Sequence, residues 1–536
     1  MRGALDSARV NPPGCGGANL TETNMKNEGL PPTSCHVPLT SGSRSSVGEP
    51  ATKVDGRPRA VCNDGMRRST VLACALSVLA FAPFSGAQVS SPAPSPAAYT
   101  ERLGAARIPA DAAAAIVIPL DGGVLRFAAN DAKPMNPAST MKLVTTYSAL
   151  HLLGPAFTFR TEVLANAPVT KGVLRGDLFL RGGGDPKLVI ENLWLLANRV
   201  RGFGIREIGG DIILDRTLFE PVAHDPAQFD GEEGRAYNVG PDALLVNFKS
   251  IAVTLVPDAA ANVAHVVVVP DVAGLRAPRT VPAVAGPCGN WRGKLRADLS
   301  DPMNLRFAGA FPLDCGERSI YLGALDHTNY FTAVFRALWE RQGGVWTGKA
   351  RDGAAPGDAR LIAAQDSPPL AQLIRDINKY SNNVMTQQLF LTMGAAGGEP
   401  GNFARGANAV RGLLAARGIE APELVLENGC GLSRVERISA RSLAGVLTDA
   451  WNSQWMPELM ASLPIAGVDG TMQRRDVPTG SAHMKTGLLE DTRAIAGYVR
   501  AASGKRYVVV AIINHPNAAR GTGAHDALIE WVYRAG

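Results

Sequence analysis

The sequence predicts an α+β fold in which an antiparallel sheet is flanked by helices and carries β-rich inserted subdomains. Three observations predict it. Strand-like runs lie near residue 115 and again close to the C-terminus, helical patterns lie next to both, and a long middle segment holds short strand-like runs separated by turn residues. Strands at both ends of a domain, with helices between them, fit one sheet that is built from the two termini.

The composition is that of an ordinary globular protein, since 46% of the 536 residues are apolar and 19% are charged. This length predicts two to four domains. The net charge is only +6 and the basic residues are dispersed, so we expect no nucleic-acid binding. The eight histidines are scattered and no Cys/His cluster has zinc spacing, so we expect no metal site.

The N-terminal region reads as a leader that precedes the fold. Residues 1–65 are rich in Gly, Pro, Ser and Asn and are predicted to be a disordered extension or a mis-called start. Met66-Arg67-Arg68 is followed by an uncharged apolar run over 69–84 and then by small residues, which is the order of a signal peptide. The run is short for a transmembrane helix. We therefore predict a signal peptide at 66–87 and an exported, periplasmic chain with no stable membrane span after cleavage.

Export changes how the cysteines are interpreted, because disulfides form in oxidising compartments. The exported part keeps Cys288, Cys315 and Cys430. A Cys288–Cys315 bridge would close a loop of moderate length, and Cys430 is then expected to be a buried free thiol.

The first elements after the leader are a strand pair and a helix. "AAAAIVIPLDGGVLRFAAN" predicts two strands around an Asp121-Gly122-Gly123 turn. "NPASTMKLVTTYSALHLLG", residues 136–154, predicts a helix, because Pro137 suits a helix start and apolar residues recur at helical spacing. Gly154-Pro155 ends it.

The middle of the chain is strand-rich. "GVLRGDLFLRGGGDP", "IGGDIILDRTLF", "IAVTLVP" and "AHVVVVPDV" are short strand-like runs separated by turns. "RGGGDPKL" lacks both the Gly-Lys-Ser/Thr ending and the GxGxxG spacing of phosphate loops, so it predicts a turn. We expect one or two inserted β-rich subdomains over 161–349, within a main domain that is formed by 88–160 and 350–536.

The C-terminal part returns to helices and then to strands. The predicted helices are "FTAVFRALWERQG", two helices in "PLAQLIRDINKYSNNVMTQQLFLTMG" that meet near 380–383, "NFARGANAVRGLLAARGI" and "SARSLAGVLTDAWN". The predicted strands are "AHMKTGLL", "RAIAGYVRA" and "RYVVVAIINH", and "GAHDALIEWVYRAG" is a closing helix.

Three short motifs carry the chemistry. Ser139 and Lys142 lie three residues apart, so on a helix they share a face and the lysine can act as the base that a serine nucleophile needs. Taken alone, this pair also fits a capping serine and a solvated lysine. However, Ser381-Asn382-Asn383 follows at a helix junction and Lys485-Thr486-Gly487 follows on a predicted strand. This ordered set is that of the penicillin-recognising serine acyltransferases.

Longer segments extend the likeness. The chain resembles the D-alanyl-D-alanine carboxypeptidase/endopeptidase group of class C low-molecular-mass penicillin-binding proteins (penicillin-binding protein 4-like), over essentially all of the part after the leader. The group inserts two extra domains between its first two motifs, and here that gap runs from Lys142 to Ser381. The resemblance implies a β-lactamase/transpeptidase-like domain. The matching segments are "GDLFLRGGGDPKL", "AYNVGPDALLVNF", "INKYSNNVM", "ENGCGLSR", "LPIAGVDGTMQRR" and "KTGLLEDTRAIAGYV".

The resemblance implies a serine D,D-peptidase that acts on peptidoglycan stem peptides through an acyl-enzyme on Ser139. Lys142 would be the base, with a pKa lowered by burial and by the charge of Lys485. Ser381 would relay a proton to the leaving amine, and Asn383 would hold the substrate amide and help to position Lys142. The same site would cut D-Ala-D-Ala ends or cross-bridges.

The resemblance also assigns substrate-binding groups. The backbone N–H groups of Ser139 and Leu488 would bind the oxyanion. Lys485 and Thr486, in the motif that ends at Gly487, would bind the terminal carboxylate. β-Lactams would acylate the same serine, and no metal or organic cofactor is implied. Asp225 is our candidate for contact with the free amine of a diaminopimelate stem, and a local turn bond is the alternative.

Two departures from the group's pattern stand out. Leu488 occupies the position after Lys-Thr-Gly where the group commonly has a hydroxyl residue, which removes one donor to the carboxylate. Asn428-Gly429-Cys430-Gly431-Leu432-Ser433 stands where the group has Asp-Gly-Ser-Gly-Leu-Ser, which places Cys430 close to the site.

Two other functions compete with this one. A β-lactamase or esterase on the same fold would need fast deacylation, and the sequence shows no obvious glutamate placed for it. A non-catalytic sensor that binds peptidoglycan or β-lactams would not need the intact motifs. The sequence leaves open the balance of carboxypeptidase and endopeptidase activity, membrane association and the oligomeric state, a homodimer included.

Overall fold

The computed structural model describes residues 96–536, so the predicted extension and signal peptide lie outside the described residues. Within this range no helix is both long enough and apolar enough to cross a membrane. The helices are α1 (Ala97–Ala105), α2 (Met141–Leu152), α3 (Ile190–Gly202), α4 (Trp291–Lys294), α5 (His327–Arg341), α6 (Leu370–Tyr380), α7 (Asn383–Ala395), α8 (Phe403–Ala416), α9 (Ala440–Asn452), α10 (Met456–Ser462) and α11 (Thr522–Ala535).

The strands divide into a main sheet and four sheets of the middle segment. The main sheet has the order β19-β20-β21-β1-β2. The strands are β1 (Ala113–Pro119), β2 (Phe127–Ala129), β3 (Arg160–Ala165), β4 (Val169–Thr170), β5 (Val173–Leu174), β6 (Leu178–Arg181), β7 (Glu207–Ile208), β8 (Ile212–Asp215), β9 (Ile251–Asp258), β10 (Val263–Val269), β11 (Thr280–Val284), β12 (Leu295–Asp298), β13 (Arg306–Gly309), β14 (Phe311–Pro312), β15 (Arg318–Leu322), β16 (Val345–Trp346), β17 (Ala350–Asp352), β18 (Arg360–Asp366), β19 (Ala482–Leu488), β20 (Thr492–Arg500) and β21 (Arg506–Asn514).

The main sheet joins the two ends of the described chain, as the sequence predicted. Every pair in it is antiparallel, and Ile116 of β1 lies opposite Val510 of β21. The centre of strand β21, residues 508–513, is apolar, and both of its faces are buried. Val508, Val510 and Ile512 pack under α2, α6, α7, α8 and α9, while Val509, Ala511 and Ile513 pack under α1 and α11.

The junction of α6 and α7 is built for a sharp change of direction. Ser381 ends α6 in the left-handed region, with φ +58° and ψ +40°. Asn382 then caps α7, because its side chain accepts the Met385 N–H at 3.0 Å. The second motif therefore lies on a fixed corner between two helices that pack against the main core.

The middle segment contributes the other sheets, of order β17-β8-β6-β3-β18, β16-β7-β5-β4, β14-β11-β10-β9-β15 and β12-β13. Strand β18 pairs with β3, so the first of these sheets continues past residue 349, where sequence analysis ended the inserted segment. The predicted boundary at residue 349 therefore falls inside the range of chain that builds this sheet. The division into a main domain and inserted subdomains stays a prediction.

The cysteine predictions are confirmed. Cys288 and Cys315 form a disulfide with a Cα–Cα distance of 4.5 Å, and Cys430 is a buried free thiol. The bridge lies beside the small core that Leu255, Trp291 and Phe311 build with their neighbours.

Replacing Cys288 and Cys315 together by Ser should lower the free energy of unfolding by about 3 kcal/mol, because the bridge closes a loop across a sequence separation of 27 residues. Urea unfolding of the variant and the wild type measures this. Wild type treated with a thiol reductant serves as the control and should shift by the same amount. Equal stability of oxidised and reduced protein would contradict the expectation.

Candidate active site

Ser139 lies on a tight turn at the start of α2. Residues 138–140 form one turn of 3₁₀ helix, and Ala138 enters it with φ +45°. Left-handed backbone is unfavourable for alanine, so the surroundings must hold it in place. Asn136 does so by accepting the Ala138 N–H at 2.9 Å, and the Thr140 hydroxyl donates to the Pro137 carbonyl at 2.7 Å.

Lys142 is fully buried, and its amine touches three groups. Nζ lies 3.0 Å from Ser139 Oγ and 2.8 Å from Asn383 Oδ1, and it also contacts the Cys430 carbonyl oxygen. A neutral amine has two N–H bonds and one lone pair. It can donate to Asn383 and Cys430 while its lone pair faces the Ser139 hydroxyl. This arrangement is the one that a general base for Ser139 requires.

Burial lowers the pKa of Lys142, while the nearby Cys430 and Glu436 act in the opposite direction. Sequence analysis expected the charge of Lys485 to contribute to this shift. Repulsion between two buried cations acts on both of them, and it is evident at Lys485: burial first, and then the charge of Lys142, hold the pKa of Lys485 well below its ordinary value. Protonation of both buried amines at the same time is therefore unfavourable.

Lys485 lies on β19, at the edge of the main sheet. Its amine donates to Ser381 Oγ at 2.9 Å and to the Thr486 carbonyl at 2.7 Å. Because Ser381 is on the α6–α7 corner, this bond connects the second and third motifs. The predicted site residues of the three motifs thus lie together.

The outer edge of β19 supplies a backbone donor. Met484 directs its N–H away from the sheet, toward the Pro464 carbonyl. Alternate N–H groups of a strand point to the same side, so those of Thr486 and Leu488 also point outward. The Leu488 side chain is 65% exposed. This geometry fits the expected oxyanion donor at Leu488.

Two glycines, Gly431 on a loop and Gly487 on β19, allow their segments to lie close to the turn that carries Ser139. A Cβ on Gly431 would lie 1.9 Å from the Ala138 carbonyl oxygen and 2.7 Å from the Ser139 nitrogen. A Cβ on Gly487 would lie 2.6 Å from the Pro137 carbonyl oxygen. Any larger residue at either position must push away the turn that carries Ser139.

Glu436 fixes the loop that contains Cys430 and Gly431. It is fully buried, and its two carboxylate oxygens accept four backbone N–H groups at 2.7–3.1 Å. The four donors are those of Glu427, Asn428, Gly429 and Gly431. Burial raises the pKa of Glu436, and these hydrogen bonds oppose that shift.

The middle segment contacts the site at Tyr237. Asn383 donates from Nδ2 to the Tyr237 carbonyl at 3.0 Å, and the Tyr237 hydroxyl donates to Asp230 at 2.8 Å. Asp225 is exposed and accepts the Ala227 N–H at 2.9 Å. This is the local turn bond that sequence analysis gave as the alternative for Asp225.

Sequence reasoning missed four contributors: the Cys430 carbonyl, Glu436, Tyr237 and Thr471. The Thr471 hydroxyl lies 2.7 Å from that of Thr486. All four fall within or close to segments that matched the family. Their position there was the sequence signal that could have pointed to a role in the site. Their residue types gave none, because a backbone carbonyl or a buried carboxylate has no sequence pattern of its own.

Comparison with known proteins settles the family. Residues 98–535 match the D-Ala-D-Ala carboxypeptidase 3 (S13) family. The chain belongs to this family. It is therefore a serine-type D,D-peptidase, as the motifs predicted.

Individual relatives of this S13 member are distant. A D-alanyl-D-alanine carboxypeptidase of Actinomadura sp. (strain R39) is 28% identical over 75% of this chain and 77% of its own. The D-alanyl-D-alanine carboxypeptidase DacB of Haemophilus influenzae is 27% identical over 71% of this chain and 80% of its own. The crystal structure of penicillin binding protein 4 from H. influenzae superposes with a TM-score of 0.68 at 23% identity, over 81% of this chain and 99% of that one. This likeness confirms the predicted fold class.

Replacing Gly431 by Ala should lower D-alanine release from a D-Ala-D-Ala peptide about hundredfold, because an ångström-scale shift of a reacting group has this effect. The new methyl group would overlap the backbone of the Ser139 turn. The measurement is D-alanine release at saturating substrate, with unfolding curves to verify folding.

The matched control is Gly412→Ala, since Gly412 lies on α8 and has open space at its Cβ position. It should retain wild-type turnover. Wild-type turnover by Gly431→Ala would show that the turn tolerates displacement and would contradict the close-contact argument.

Proposed function

We propose that this S13 peptidase hydrolyses peptidoglycan stem peptides that end in D-Ala-D-Ala, through an acyl-enzyme on Ser139. One observation carries the proposal: the buried Lys142 amine, with a lowered pKa, lies 3.0 Å from Ser139 Oγ. A serine needs such a neighbour because its own hydroxyl is a weak nucleophile.

Acylation follows from the contacts of Lys142. Ser139 Oγ attacks the carbonyl carbon of the penultimate D-alanine as its proton moves to the Lys142 amine. The negative charge that develops on the carbonyl oxygen is stabilised by the backbone N–H groups of Ser139 and Leu488. Ser381 then passes a proton to the leaving nitrogen, the peptide bond breaks, and D-alanine leaves. Water hydrolyses the resulting ester and regenerates Ser139.

Substrate binding uses the edge of β19 and the corner of α7. Thr486 and Lys485 bind the carboxylate of the departing residue, and Gly487 keeps the strand close to the Ser139 turn. Asn383 orients the substrate amide while its own side chain is held by the Tyr237 carbonyl. A cross-bridge amide that enters the same way is cut as an endopeptidase substrate. β-Lactams acylate Ser139 because their strained amide takes the place of the peptide bond.

The state of Glu436 favours a peptidase over a β-lactamase. Fast hydrolysis of the β-lactam ester needs a base that activates water. Glu436 is the glutamate beside the site, but both of its oxygens are occupied by backbone N–H groups. It is fully buried and holds a loop, so it is not placed to activate a water molecule in the site. The proposed enzyme therefore stays acylated by β-lactams.

The proposed place of action is the periplasm, reached by means of the signal peptide at 66–87. The Cys288–Cys315 disulfide supports an oxidising compartment. The soluble, exported chain would then meet peptidoglycan where the stem peptides are exposed.

A fluorescent penicillin should label the wild type covalently, and Ser139→Ala should remove the label completely because no oxygen remains to form the ester. Gel fluorescence after denaturation measures this. Ser503→Ala, in the exposed β20–β21 turn, is the matched control and should label fully. A label that persists in Ser139→Ala would refute the assignment of the nucleophile.

The rate of labelling should rise with pH through the lowered pKa of Lys142, because only the neutral amine can accept the Ser139 proton. The rise should therefore occur below 10.5, the ordinary lysine value. Lys142→Arg keeps a basic side chain that cannot lose its proton, so its labelling should fall at least about a thousandfold and show no rise.

Lys505→Arg in the β20–β21 turn is the control and should retain the wild-type pH profile. A wild-type profile that stays flat up to the ordinary lysine pKa would contradict a neutral Lys142 as the base.

A further inference from the structure

The strand that carries the third motif offers only one side-chain hydroxyl to a bound carboxylate. Side chains two residues apart on a strand project from the same face, so Thr486 and Leu488 are neighbours on that face. Leu488 is 65% exposed and has no polar atom in its side chain. A carboxylate has two oxygens, and each needs hydrogen-bond donors when it leaves water.

A second hydroxyl comes from outside the strand. Thr471 lies on the 3₁₀ turn Gly470–Met472, and its Oγ1 is 2.7 Å from Thr486 Oγ1. Thr471 is exposed and Thr486 is half-buried, so both hydroxyls are accessible. Two hydroxyls contain two protons, and the bond between them uses one. The other proton is free to be donated to a ligand.

The turn that carries Thr471 is anchored to the same helix that carries Ser381. Asp469, directly before the turn, accepts the Lys379 amine at 2.6 Å and the Ile465 N–H at 2.8 Å. Gly470 has φ +55°, and a Cβ there would lie 2.6 Å from the Lys379 carbonyl oxygen. Lys379 lies near the end of α6, two residues before Ser381. Thr471 is thus placed between the α6 end and β19, which are the two elements that bound the proposed carboxylate subsite.

We propose that Thr471 is a specificity-determining residue that binds the substrate carboxylate together with Thr486, and so supplies the donor that Leu488 lacks. The proposal rests on the proposed function, because it concerns the substrate of the same site. The Thr471–Thr486 pair favours peptides whose departing residue carries a free carboxylate over the same peptides with a neutral carboxamide.

The test compares two peptides that differ only at the C-terminus: an N-acylated peptide ending in D-Ala-D-Ala as the free acid, and the same peptide as the carboxamide. Release of D-alanine or of D-alaninamide gives kcat/KM for each. Thr471→Val should lower the ratio of free acid to carboxamide about tenfold, as expected for a lost hydrogen bond to a charged group. Thr471→Ser, which keeps the hydroxyl, should restore most of the ratio.

Two further variants sharpen the result. Thr280→Val, on the exposed face of β11, is the matched control and should keep the wild-type ratio. Adding Leu488→Thr to Thr471→Val returns a hydroxyl to the face of Thr486 and should recover the ratio. A structural role for Thr471 would lower the turnover of both peptides equally, and this outcome would overturn the proposal.

The two proposals fail in different ways. A wild type that releases neither D-alanine nor D-alaninamide would overturn the proposed function. A wild type that prefers the free acid, together with a Thr471→Val variant of unchanged ratio, would leave that function standing and overturn the role of Thr471.

Discussion

The contact of the buried Lys142 amine with three separate parts of the chain is the interaction on which the site depends. Its partners are Ser139 at the start of α2, Asn383 at the start of α7 and the Cys430 carbonyl on a loop. A buried amine without partners would be strongly destabilising. Packing elsewhere in the fold must therefore hold the three segments in fixed positions relative to one another.

Two features provide that packing. The main sheet is buried on both faces, and the core that it shares with α2, α6, α7, α8 and α9 fixes the two helices that carry Lys142 and Asn383. The loop is fixed differently. Glu436 gathers four backbone N–H groups, and Gly431 lets the loop lie against the Ser139 turn. A buried carboxylate is tolerated here because each of its oxygens is hydrogen-bonded.

The sequence predicted the elements and the three motifs because these depend on local patterns. The helical period places Ser139 and Lys142 on one face, and strand patterns placed Lys485 on β19. The remaining site residues depend on which distant segments meet. Tyr237 and Thr471 acquire their contacts only through the fold, and no periodicity reports that. Asp225 was chosen by resemblance in a loop, where insertions and deletions shift positions most easily; it makes a local bond, and its contact with substrate stays a prediction.

The two buried lysines also indicate how protons move through the site. Repulsion between Lys142 and Lys485 favours one proton on the pair, since two buried ammonium groups disfavour each other. Lys485 donates to Ser381 at 2.9 Å. In the proposed reaction, the proton that the leaving nitrogen takes from Ser381 would be replaced from Lys485 as Lys142 gains the proton of Ser139. The pair would thereby accept one proton and donate another while its total charge stays constant. The low-dielectric interior favours such an order of proton transfers over one in which charge accumulates.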